Sequence, residues 1–439
     1  MITLRRNLVT KTTGARVLDT TCLPRLSDLS WVIDHYTLRA PVIIKRTYRF
    51  YPTPRQVRAL AQTFGCCRVV YNAALKFRMD TFAASKLDAS IKPANYAASD
   101  KAITALRNNP NFAFLREVHG TPQRQSVRHL DTAFSNFFAK RASFPKFKSK
   151  RDKVQSASYP NDSFQLDASQ NLSVSSLGRL SVVWSIVPES VPSSITITKD
   201  ATDRYFVTLT LETEKAHLPK TGKSVGLDLG IAAMVTLSDG TSVTNPRHTK
   251  AWERKLATAQ RTLARRVKGS GRYKAQRLRV ARLHAHVAAC RKDILNKLTT
   301  DLVRRFDVLA IEDLNVKGMV KNHCLAKVIS DVSFSEFRRQ LEYKCLWYGR
   351  ELRLAGRFSP TSQVCSDCGI KGDPKGLEVR AWTCAHCGAC HDRDVNAAKN
   401  ILAVGKTVIA RGERVSPKVA KATKGNARRS VNLPALGVA

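Results

Sequence analysis

The fold class is decided by residues 225 to 244, which read VGLDLGIAAMVTLSDGTSVT. This pattern predicts an apolar strand, a tight return, a second strand and a turn at SDG. Asp228 interrupts the first strand, and a carboxylate among apolar neighbours is costly unless a cation lies beside it. The stretch therefore predicts a buried sheet that carries one candidate site for a cation.

Two further acids occupy comparable positions later in the chain. Glu312 stands at the end of FDVLAIEDL, residues 306 to 314, which predicts a second buried strand. Asp394 falls in the first turn of a helix predicted from HDRDVNAAKNIL, where the helix dipole favours an anion. The small side chains of Ala397 and Ala398 allow that helix to pack closely on a sheet. More than 80 residues separate each acid from the next, so only folding can bring them together.

Acids on a first strand, on a fourth-strand position and on a late helix are the arrangement of an RNase H-like nuclease. Such enzymes hydrolyse phosphodiesters with two Mg²⁺ ions about 4 Å apart, and carboxylate oxygens suit Mg²⁺. Each acid also has a structural alternative: Asp228 in a turn, Glu312 in a surface ion pair, and Asp394 as a helix cap. Asp313 and Asp392 are the nearest substitutes for the chosen acids.

Four cysteines have the spacing C-x₂-C-x₁₅-C-x₂-C, which is typical of a structural zinc ribbon. They are Cys365, Cys368, Cys384 and Cys387. Gly369 and Gly388 follow the two pairs, as the turns require. Disulfide pairing is the alternative, and Cys390 and His391 could compete for the metal. Because the ribbon leads directly into the helix of Asp394, we expect the zinc to fix where this acid enters the site.

The chain is strongly basic, with 74 Lys and Arg against 34 Asp and Glu and a formal net charge of +40. Such an excess indicates a polyanionic partner, nucleic acid first and an anionic membrane surface second. Sixteen Lys and Arg against two acids lie between Arg247 and Lys297, a predicted basic helical hairpin. FPKFKSKRDK, residues 144 to 153, suits phosphate contact with aromatic stacking. Its alternative is a solvated loop with two core phenylalanines.

No run of about 18 apolar residues could span a membrane, and the first residues lack the apolar block of a signal peptide. We therefore expect a cytoplasmic protein without a membrane partner. Eleven cysteines in that compartment favour metal ligands and buried thiols over disulfides.

The sequence resembles the TnpB (OrfB) proteins of insertion sequences, which are compact relatives of type V CRISPR effectors. The resemblance covers roughly residues 42 to 404 in the order of the family. It rests on KRTYRFYPTPRQ, TFGCCRVVYNAAL, SFPKFKSKR, VGLDLGIAAMVTLSDG, VLAIEDLNVKGM, FRRQLEYKCLWYGREL and SPTSQVCSDCG leading to HDRDVNAAKNI. Residues 1 to 41 and the tail after Leu402 carry no family motif.

The resemblance implies an RNA-guided DNA endonuclease with a RuvC-like domain whose catalytic acids map onto Asp228, Glu312 and Asp394. Its implied partners are a guide RNA from the transposon end and target DNA, and its implied cofactors are structural Zn²⁺ and catalytic Mg²⁺ or Mn²⁺. Base pairing would read the target while the protein reads a short adjacent motif. The remaining alternatives are a non-cutting RNA-guided or plain DNA-binding regulator and an RNA-independent transposase.

The expected fold is α/β and α+β multidomain. An RNase H-like (RuvC) nuclease domain with an inserted zinc ribbon follows an N-terminal helical lobe and a β-barrel, or wedge-like, domain. The predicted segments are an N-terminal extension (1–41), a first barrel strand (42–53), a helical recognition lobe (54–143), the rest of the barrel (144–220), the nuclease domain with the basic hairpin (221–360), the zinc ribbon (361–390), a final nuclease helix (391–404) and a basic disordered tail (405–439).

Overall fold

The computed structural model describes residues 42–214, 217–357, 359–373, 376 and 378–410, with side chains as far as residue 407. The predicted extension 1–41, which contains Cys22, and the tail beyond 410 lie outside the described residues. Nine α-helices occur in the described part of the chain. They are α1 (Pro54–Leu87), α2 (Tyr96–Asn108), α3 (Gly120–Phe138), α4 (His248–Ala264), α5 (Gly271–Arg305), α6 (Val316–Met319), α7 (His323–Val332), α8 (Phe334–Tyr348) and α9 (Arg393–Ala410).

Fifteen strands accompany these helices. They are β1 (Val42–Phe50), β2 (Gln155–Pro160), β3 (Phe164–Leu166), β4 (Leu172–Val174), β5 (Gly178–Leu180), β6 (Val182–Val183), β7 (Ser194–Lys199), β8 (Tyr205–Thr213), β9 (Ser224–Asp228), β10 (Ala233–Leu237), β11 (Ser242–Thr244), β12 (Val308–Glu312), β13 (Glu351–Ala355), β14 (Ala381–Thr383) and β15 (Cys390–Asp392). Short 3₁₀ helices cover Pro110–Leu115 and Asn161–Ser163. None of the described helices is long and apolar enough to cross a membrane.

The first sheet has the order β2-β7-β8-β1-β6, and all of its pairs are antiparallel. The alternating sequence ITITKDATDRYFVTLTLE, residues 195–212, predicts a hairpin, which is formed by β7 and β8 with Ile197 opposite Val207. Alternate residues of β8 are buried, which is the period-two pattern of a strand with one face on a core. A second, three-stranded sheet of β3, β4 and β5 shares this core.

A helical block follows β1 along the chain. Thr53 caps α1 through a capping box with Gln56, as the Thr-Pro sequence predicts. Helices α1 to α3 share a core to which α3 contributes Val127 and Leu130. The sequence spacing predicts that Val127, Leu130, Phe134, Phe137 and Phe138 share one helix face, but Phe138 is the last residue of α3 and is 74% exposed.

The third sheet has the order β11-β10-β9-β12-β13, with β9, β12 and β13 parallel and β9 to β11 antiparallel. Alternation along the strands sends Val225, Leu227, Leu309 and Ile311 into a core with α5 and α8. The intervening residues, including Ala310, face α9 on the other side. The sheet is therefore covered by helices on both faces, with its two acid-bearing strands in the centre.

Helix α9 extends to Ala410, whereas the sequence predicts a helix ending at 404 and a disordered tail from 405. Gly405 lies directly on the sheet. A β-carbon added to this residue would be 2.9 Å from the β-carbon of Ala310. Val404 also packs against the small core beneath α9. The composition of residues 405–410 does not predict this contact with β12. The contact continues the helix through these six residues.

The basic hairpin is formed by α4 and α5, with a turn at 265–270. The Gln276 side chain donates to the Ala259 carbonyl oxygen across the pair at 2.9 Å. The sequence spacing predicts one apolar seam of Trp252, Leu256, Ala259, Leu263 and Val267. Leu256 and Ala259 are buried, but Val267 is 78% exposed. It lies in the turn beyond α4 and therefore cannot belong to the apolar seam predicted for it.

Candidate active site and metal centre

Asp228 and Glu312 lie side by side at the carboxyl ends of β9 and β12. These strands are parallel neighbours in which Leu227 is opposite Ile311, so the two acids occupy the next step of the same ladder. Adjacent strands are about 4.8 Å apart. Because Leu227 and Ile311 enter the α5 and α8 core, the acids that follow them are on the α9 face of the sheet.

Gly226 lets α9 approach this face closely. A β-carbon on Gly226 would be 2.0 Å from the Ala398 carbonyl oxygen and 2.8 Å from the Leu402 nitrogen, so any other residue would push the helix away. Ala397 and Ala398 are buried against the sheet, which confirms the predicted close packing. Asp394 stands one turn before Ala398 and therefore enters over the face that carries the other two acids.

The surroundings of Asp228 disfavour its ionisation. Burial, together with the negative charges of Glu312 and Asp394, raises the pKa of Asp228 from 3.8 to about 7. The Leu229 backbone N–H and the charge of Arg393 oppose this rise. An acid that resists ionisation beside two others is the setting in which a cation is most strongly favoured.

Glu312 is oriented by Thr361, a residue that the sequence analysis did not identify. The Thr361 hydroxyl donates to the Glu312 Oε1 atom at 2.6 Å. Asn400 on α9 donates in turn to the carbonyl oxygens of Thr361 and Val364 at 2.8 and 2.7 Å. Asn396, one turn earlier, donates to the same Val364 oxygen. The sequence signal that could have identified this hydrogen-bond network is a pair of asparagines, four residues apart, on the helix that carries Asp394.

The two substitute acids have other partners. Asp313 forms ion pairs with Arg338 and, at 2.9 Å, with Arg357. Asp392 accepts hydrogen bonds from the backbone N–H groups of Asp394 and Val395 at 3.0 and 2.9 Å. These contacts make Asp392 the N-terminal cap of α9, which favours Asp394 over Asp392 as the candidate acid.

Asp394 is paired with Arg380, whose Nη1 atom is 3.2 Å from its Oδ1 atom. Arg380 immediately precedes β14 in the cysteine-bearing segment. Among the described residues, the four predicted cysteines are the one group of three or more metal-ligating side chains close enough to share an ion, and the three acids do not form such a group. Asp394 thus shares the edge of the sheet with the other two acids while its carboxylate contacts a guanidinium.

The four predicted cysteines converge on one point. Their sulfur atoms all lie within 4.8 Å of one another. The Cys365–Cys387 and Cys368–Cys384 sulfur distances are 3.7 and 3.8 Å, too long for a disulfide bond of about 2.05 Å. Four sulfurs at this spacing fit the tetrahedral coordination of Zn²⁺, so the cysteine cluster fits structural zinc.

The turns around the cluster have the geometry that thiolate ligands require. Gly369 and Gly388 have φ values of +75° and +72°, and their N–H groups donate to the carbonyl oxygens of Cys365 and Cys384. The backbone N–H groups of Cys387 and His386 lower the pKa of Cys384 to about 6. The predicted glycine turns are therefore present, and one thiol is already favoured as a thiolate.

Cys390 and His391 lie outside the four-sulfur group. The Nε2 atom of buried His391 is 3.0 Å from the Cys365 sulfur, the position of a residue that supports a ligand through a hydrogen bond. Cys390 is exposed and contacts the Thr383 hydroxyl at 3.4 Å.

Three family profiles match the chain. One is described as "Probable transposase" over residues 207–323, one as "Cas12f1-like, TNB domain" over 334–401, and one as "Helix-turn-helix domain" over 42–86. A Streptomyces pristinaespiralis protein named "Putative RNA-guided DNA endonuclease" is 43% identical over 373 residues, covering 84% of this chain and 91% of that protein. The chain belongs to the TnpB (OrfB) family.

Two further proteins are similar to this member of the TnpB family. The "Putative RNA-guided DNA endonuclease InsQ" of Escherichia coli K12 is 31% identical over 384 residues, covering 84% of this chain and 94% of that protein. A cryo-EM structure of a Cas12f1–sgRNA–target DNA complex matches at a TM-score of 0.51 with 12% identity, covering 82% of this chain and 98% of that one. The latter likeness concerns the fold alone. In the segment that matches the helix-turn-helix profile, this chain has strand β1 and most of the single helix α1.

The basic aromatic segment 144–153 of this TnpB protein is held against α1. Asn72 forms two hydrogen bonds with the backbone of Lys148, at 2.9 and 2.8 Å. The Lys148 ammonium group lies 4.0 Å from the centre of the Tyr71 ring. Phe144 packs on Phe137, with 5.3 Å between ring centres, whereas Phe147 is 54% exposed. Phe144 is itself 39% exposed, so neither phenylalanine is the core residue that the structural alternative predicts, and Phe147 is available for stacking.

Proposed function

We propose that this chain is a transposon-encoded RNA-guided DNA endonuclease that hydrolyses DNA phosphodiester bonds at Asp228, Glu312 and Asp394. One observation carries the proposal: Asp228 and Glu312 are adjacent on parallel strands, and the helix of Asp394 packs on the same face. The names of the relatives, which describe RNA-guided DNA endonucleases, support the same activity.

The proposal assigns the third sheet to an RNase H-like (RuvC) nuclease domain. The order β11-β10-β9-β12-β13 supports this assignment, since the first and fourth strands are neighbours and carry the two strand acids. The cysteine cluster lies between β13 and α9 along the chain and forms the inserted ribbon. Helices α1 to α3 would be the recognition lobe, and the first two sheets the barrel or wedge-like domain.

The three acids are the proposed ligands of a pair of Mg²⁺ ions, or of Mn²⁺ in their place. Carboxylate oxygens are the hard ligands that these ions prefer. Burial first, and then the charges of Glu312 and Asp394, raise the pKa of Asp228, and a bound cation would offset both effects. When bound, the two metal ions would activate water and stabilise the departing 3′ oxygen. Thr361 holds one Glu312 oxygen in place, and Asp228 must lose its proton before it can act as a ligand.

Zn²⁺ at the four cysteines would act as a scaffold. The Ser366 N–H donates to Asn396 on α9 at 2.8 Å, and the Arg393 N–H donates to the Arg380 carbonyl oxygen at 2.7 Å. These contacts tie the ribbon to the helix of Asp394 on both sides. The metal would therefore fix the position of the third acid without taking part in the reaction.

A guide RNA from the transposon end and a DNA target are the proposed partners. The net charge of +40 and the basic pair α4 and α5 support a polyanionic complex of this size. In this arrangement base pairing selects the target, and the protein binds the backbones of both nucleic acids.

The test compares the wild-type ribonucleoprotein with Asp228→Ala on a DNA target matched to the RNA that copurifies. We expect the variant to cut at least about 10²-fold more slowly, since loss of a single electrostatic group costs about 10² to 10³, while it retains the same RNA. An Asp293→Asn variant on the basic hairpin serves as a matched control. Cleavage by Asp228→Ala at the normal rate would reject the assignment.

Removing the RNA by nuclease treatment before the assay separates this proposal from an RNA-independent transposase. Loss of target cutting supports RNA guidance, whereas undiminished cutting or strand joining supports the alternative. A wild-type protein that binds the matched target without cutting it, in Mg²⁺ or Mn²⁺, would indicate a non-cutting regulator.

A further inference from the structure

Residues 217–223, the connecting segment, form the last part of the connection from β8 in the first sheet to β9 in the third sheet. The segment is bonded to the amino ends of the parallel strands β9, β12 and β13. The Asp307 N–H donates to the Lys223 carbonyl oxygen at 2.8 Å, and the Glu351 N–H donates to the Asp307 carbonyl oxygen at 2.8 Å. The three strands therefore begin side by side at the connecting segment.

The side chain of Asp307 binds the backbone of the connecting segment. Its Oδ2 atom accepts hydrogen bonds from the N–H groups of Thr221 and Gly222 at 2.9 and 2.8 Å, and its Oδ1 atom lies 3.0 Å from the Thr221 nitrogen. Gly222 has a φ of +71°, which glycine adopts without strain. The carboxylate is only 11% exposed, so water competes little for these bonds.

Arg350 binds both the same carboxylate and the same segment. Its Nη1 atom donates to the Asp307 Oδ1 atom at 2.6 Å, and its Nη2 atom donates to the Pro219 carbonyl oxygen at 2.9 Å. Its Nε atom donates to the carbonyl oxygen of Val303 in α5 at 2.8 Å. The Arg350 side chain is 1% exposed, and removal of one partner from a buried ion pair is strongly unfavourable. One guanidinium thus ties the connecting segment to α5 and to the start of β12.

The last turn of α8 makes a second contact between the two sheets. The Leu218 N–H donates to the Tyr348 carbonyl oxygen at 3.1 Å. Trp347 packs against the core that the first two sheets share. Gly349 has a φ of +66°, and a β-carbon there would be 2.6 Å from the His217 ring. The end of α8 therefore contacts both the connecting segment and the core of the first sheet.

We propose that the connecting segment, Asp307, Arg350 and Trp347 form a rigid joint that fixes the third sheet relative to the first and thereby sets where the DNA is cut. Glu312 follows Asp307 by five residues of strand, which is about 16 Å, so the joint lies too far from the acids to contact the reacting bond. Its effect would be on the orientation of the whole sheet.

The proposed function assigns the barrel and the recognition lobe to one side of this joint and the nuclease sheet to the other. A substrate that is held by one part of a chain and cut by another is cut where the geometry between the two parts places it. This role rests on the proposed nuclease function and adds Arg350 and Asp307 to it as positioning residues.

The experiment uses the full chain with its copurifying RNA and a matched DNA target. Cut positions on both strands are mapped at single-nucleotide resolution, and amide exchange is measured by mass spectrometry in peptides that cover 217–223. Arg350→Lys keeps the charge and loses the guanidinium fork, and Asp307→Asn keeps an acceptor oxygen and loses the charge. Arg78→Lys is the matched control, because Arg78 is also buried and is paired with Asp131 inside the block of α1 to α3.

We expect slow exchange of the Thr221 and Gly222 amides in the wild-type protein. Arg350→Lys should raise exchange in 217–223 at least about tenfold, because charged hydrogen bonds to the segment are lost. The most frequent cut position should lose at least about half of its share to neighbouring positions, since a small misplacement changes which bond reacts. Asp307→Asn should act in the same direction to a smaller degree, and it replaces Arg350→Lys if that variant does not fold.

Arg78→Lys should lower thermal stability and leave both the exchange in 217–223 and the distribution of cut positions unchanged. An unchanged distribution in a folded variant whose connecting segment exchanges faster would overturn the proposal. Equal broadening in Arg78→Lys would also overturn it, because the effect would then follow from lower stability in general. Wild-type amides in 217–223 that exchange as fast as those of an unfolded chain would refute the joint itself.

The exchange measurement does not depend on cleavage. A wild-type protein that protects these amides and never cuts DNA would refute the nuclease function, and with it the role in cutting, while the rigid joint would stand.

Discussion

The backbone of Ala398 on α9 lies directly over Gly226 on β9, where a β-carbon would come within 2.0 Å of its carbonyl oxygen. This contact sets the height of the helix above the strand that carries Asp228. The position of Asp394 relative to the other two acids therefore depends on a glycine two residues away from the candidate site.

Gly226→Ala should displace α9 and destabilise the protein by about 1 to 3 kcal/mol, the usual cost of overpacking a core. It should also slow cleavage at least tenfold, because a small displacement of a reacting group is costly. Thermal unfolding and cleavage assays test this. Gly65→Ala is the control, since nothing lies within 4 Å of its β-carbon position in α1, and it should be neutral or slightly stabilising. Equal behaviour of the two variants would contradict the close approach.

The contribution of Asp228 to the stability of the protein in magnesium-free buffer should fall as pH rises from about 4 to about 7. In that window the unfolded chain releases the Asp228 proton while the folded chain retains it, because the folded pKa is about 7 and the ordinary value is 3.8. Asp228→Asn should remove this decline and be more stable than wild type at pH 8, by on the order of 1 to 4 kcal/mol. Denaturant unfolding at pH 5 and pH 8 measures the difference. Parallel pH profiles for the two proteins would refute it.

Substitutions should distinguish the roles of the two acids at the start of α9. Asp392→Asn should keep cleavage within a few-fold, since asparagine caps a helix as well as aspartate does, and Asp392→Ala should cost about 1 kcal/mol of stability. Asp394→Asn should abolish cleavage with little change in stability. Unfolding curves and cleavage rates of the three variants decide between them. Full loss of cutting in Asp392→Asn would reverse the choice of acid.

Arg380 should compete with cations for Asp394, because the pair at 3.2 Å neutralises the carboxylate. Arg380→Gln is expected to tighten Mn²⁺ binding several-fold at low ionic strength, measured by calorimetry on the uncleaved complex. Arg353→Gln, whose guanidinium is paired with Glu351 away from the acids, controls for loss of positive charge. Weaker binding in Arg380→Gln would show that the arginine supports the site.

Zinc removal should loosen the helix of Asp394 and spare the first sheet. Metal analysis should find one zinc per chain, and a zinc-selective chelator or Cys387→Ser should increase amide exchange in residues 390–402 and stop cleavage. Exchange in β1, β7 and β8 should not change, because these strands lie in a separate core. Cys390→Ser should behave as wild type. Unaltered cleavage by a chain shown to be free of zinc would end the scaffold hypothesis.

Local signals predicted the elements that depend on neighbouring residues. The alternation in β8, the capping of α1 by Thr53 and the glycine turns beside the cysteines all follow from short-range chemistry. The predictions that were wrong concerned the ends of helices and long-range packing. Val267 falls beyond the end of α4, Phe138 ends α3, and α9 continues past 404 because Gly405 rests on β12.

The sequence alone determined which residue types are available: three acids on predicted buried elements, four cysteines with ribbon spacing, and a large positive charge. Only the tertiary structure decided their partners. In the tertiary structure Asp392 caps a helix, and Asp313 pairs with two arginines. The Thr361 hydroxyl donates to Glu312, and Arg380 pairs with Asp394. The physical reason is that composition and spacing encode local conformation, whereas a carboxylate's role depends on charges and donors brought beside it from distant parts of the chain.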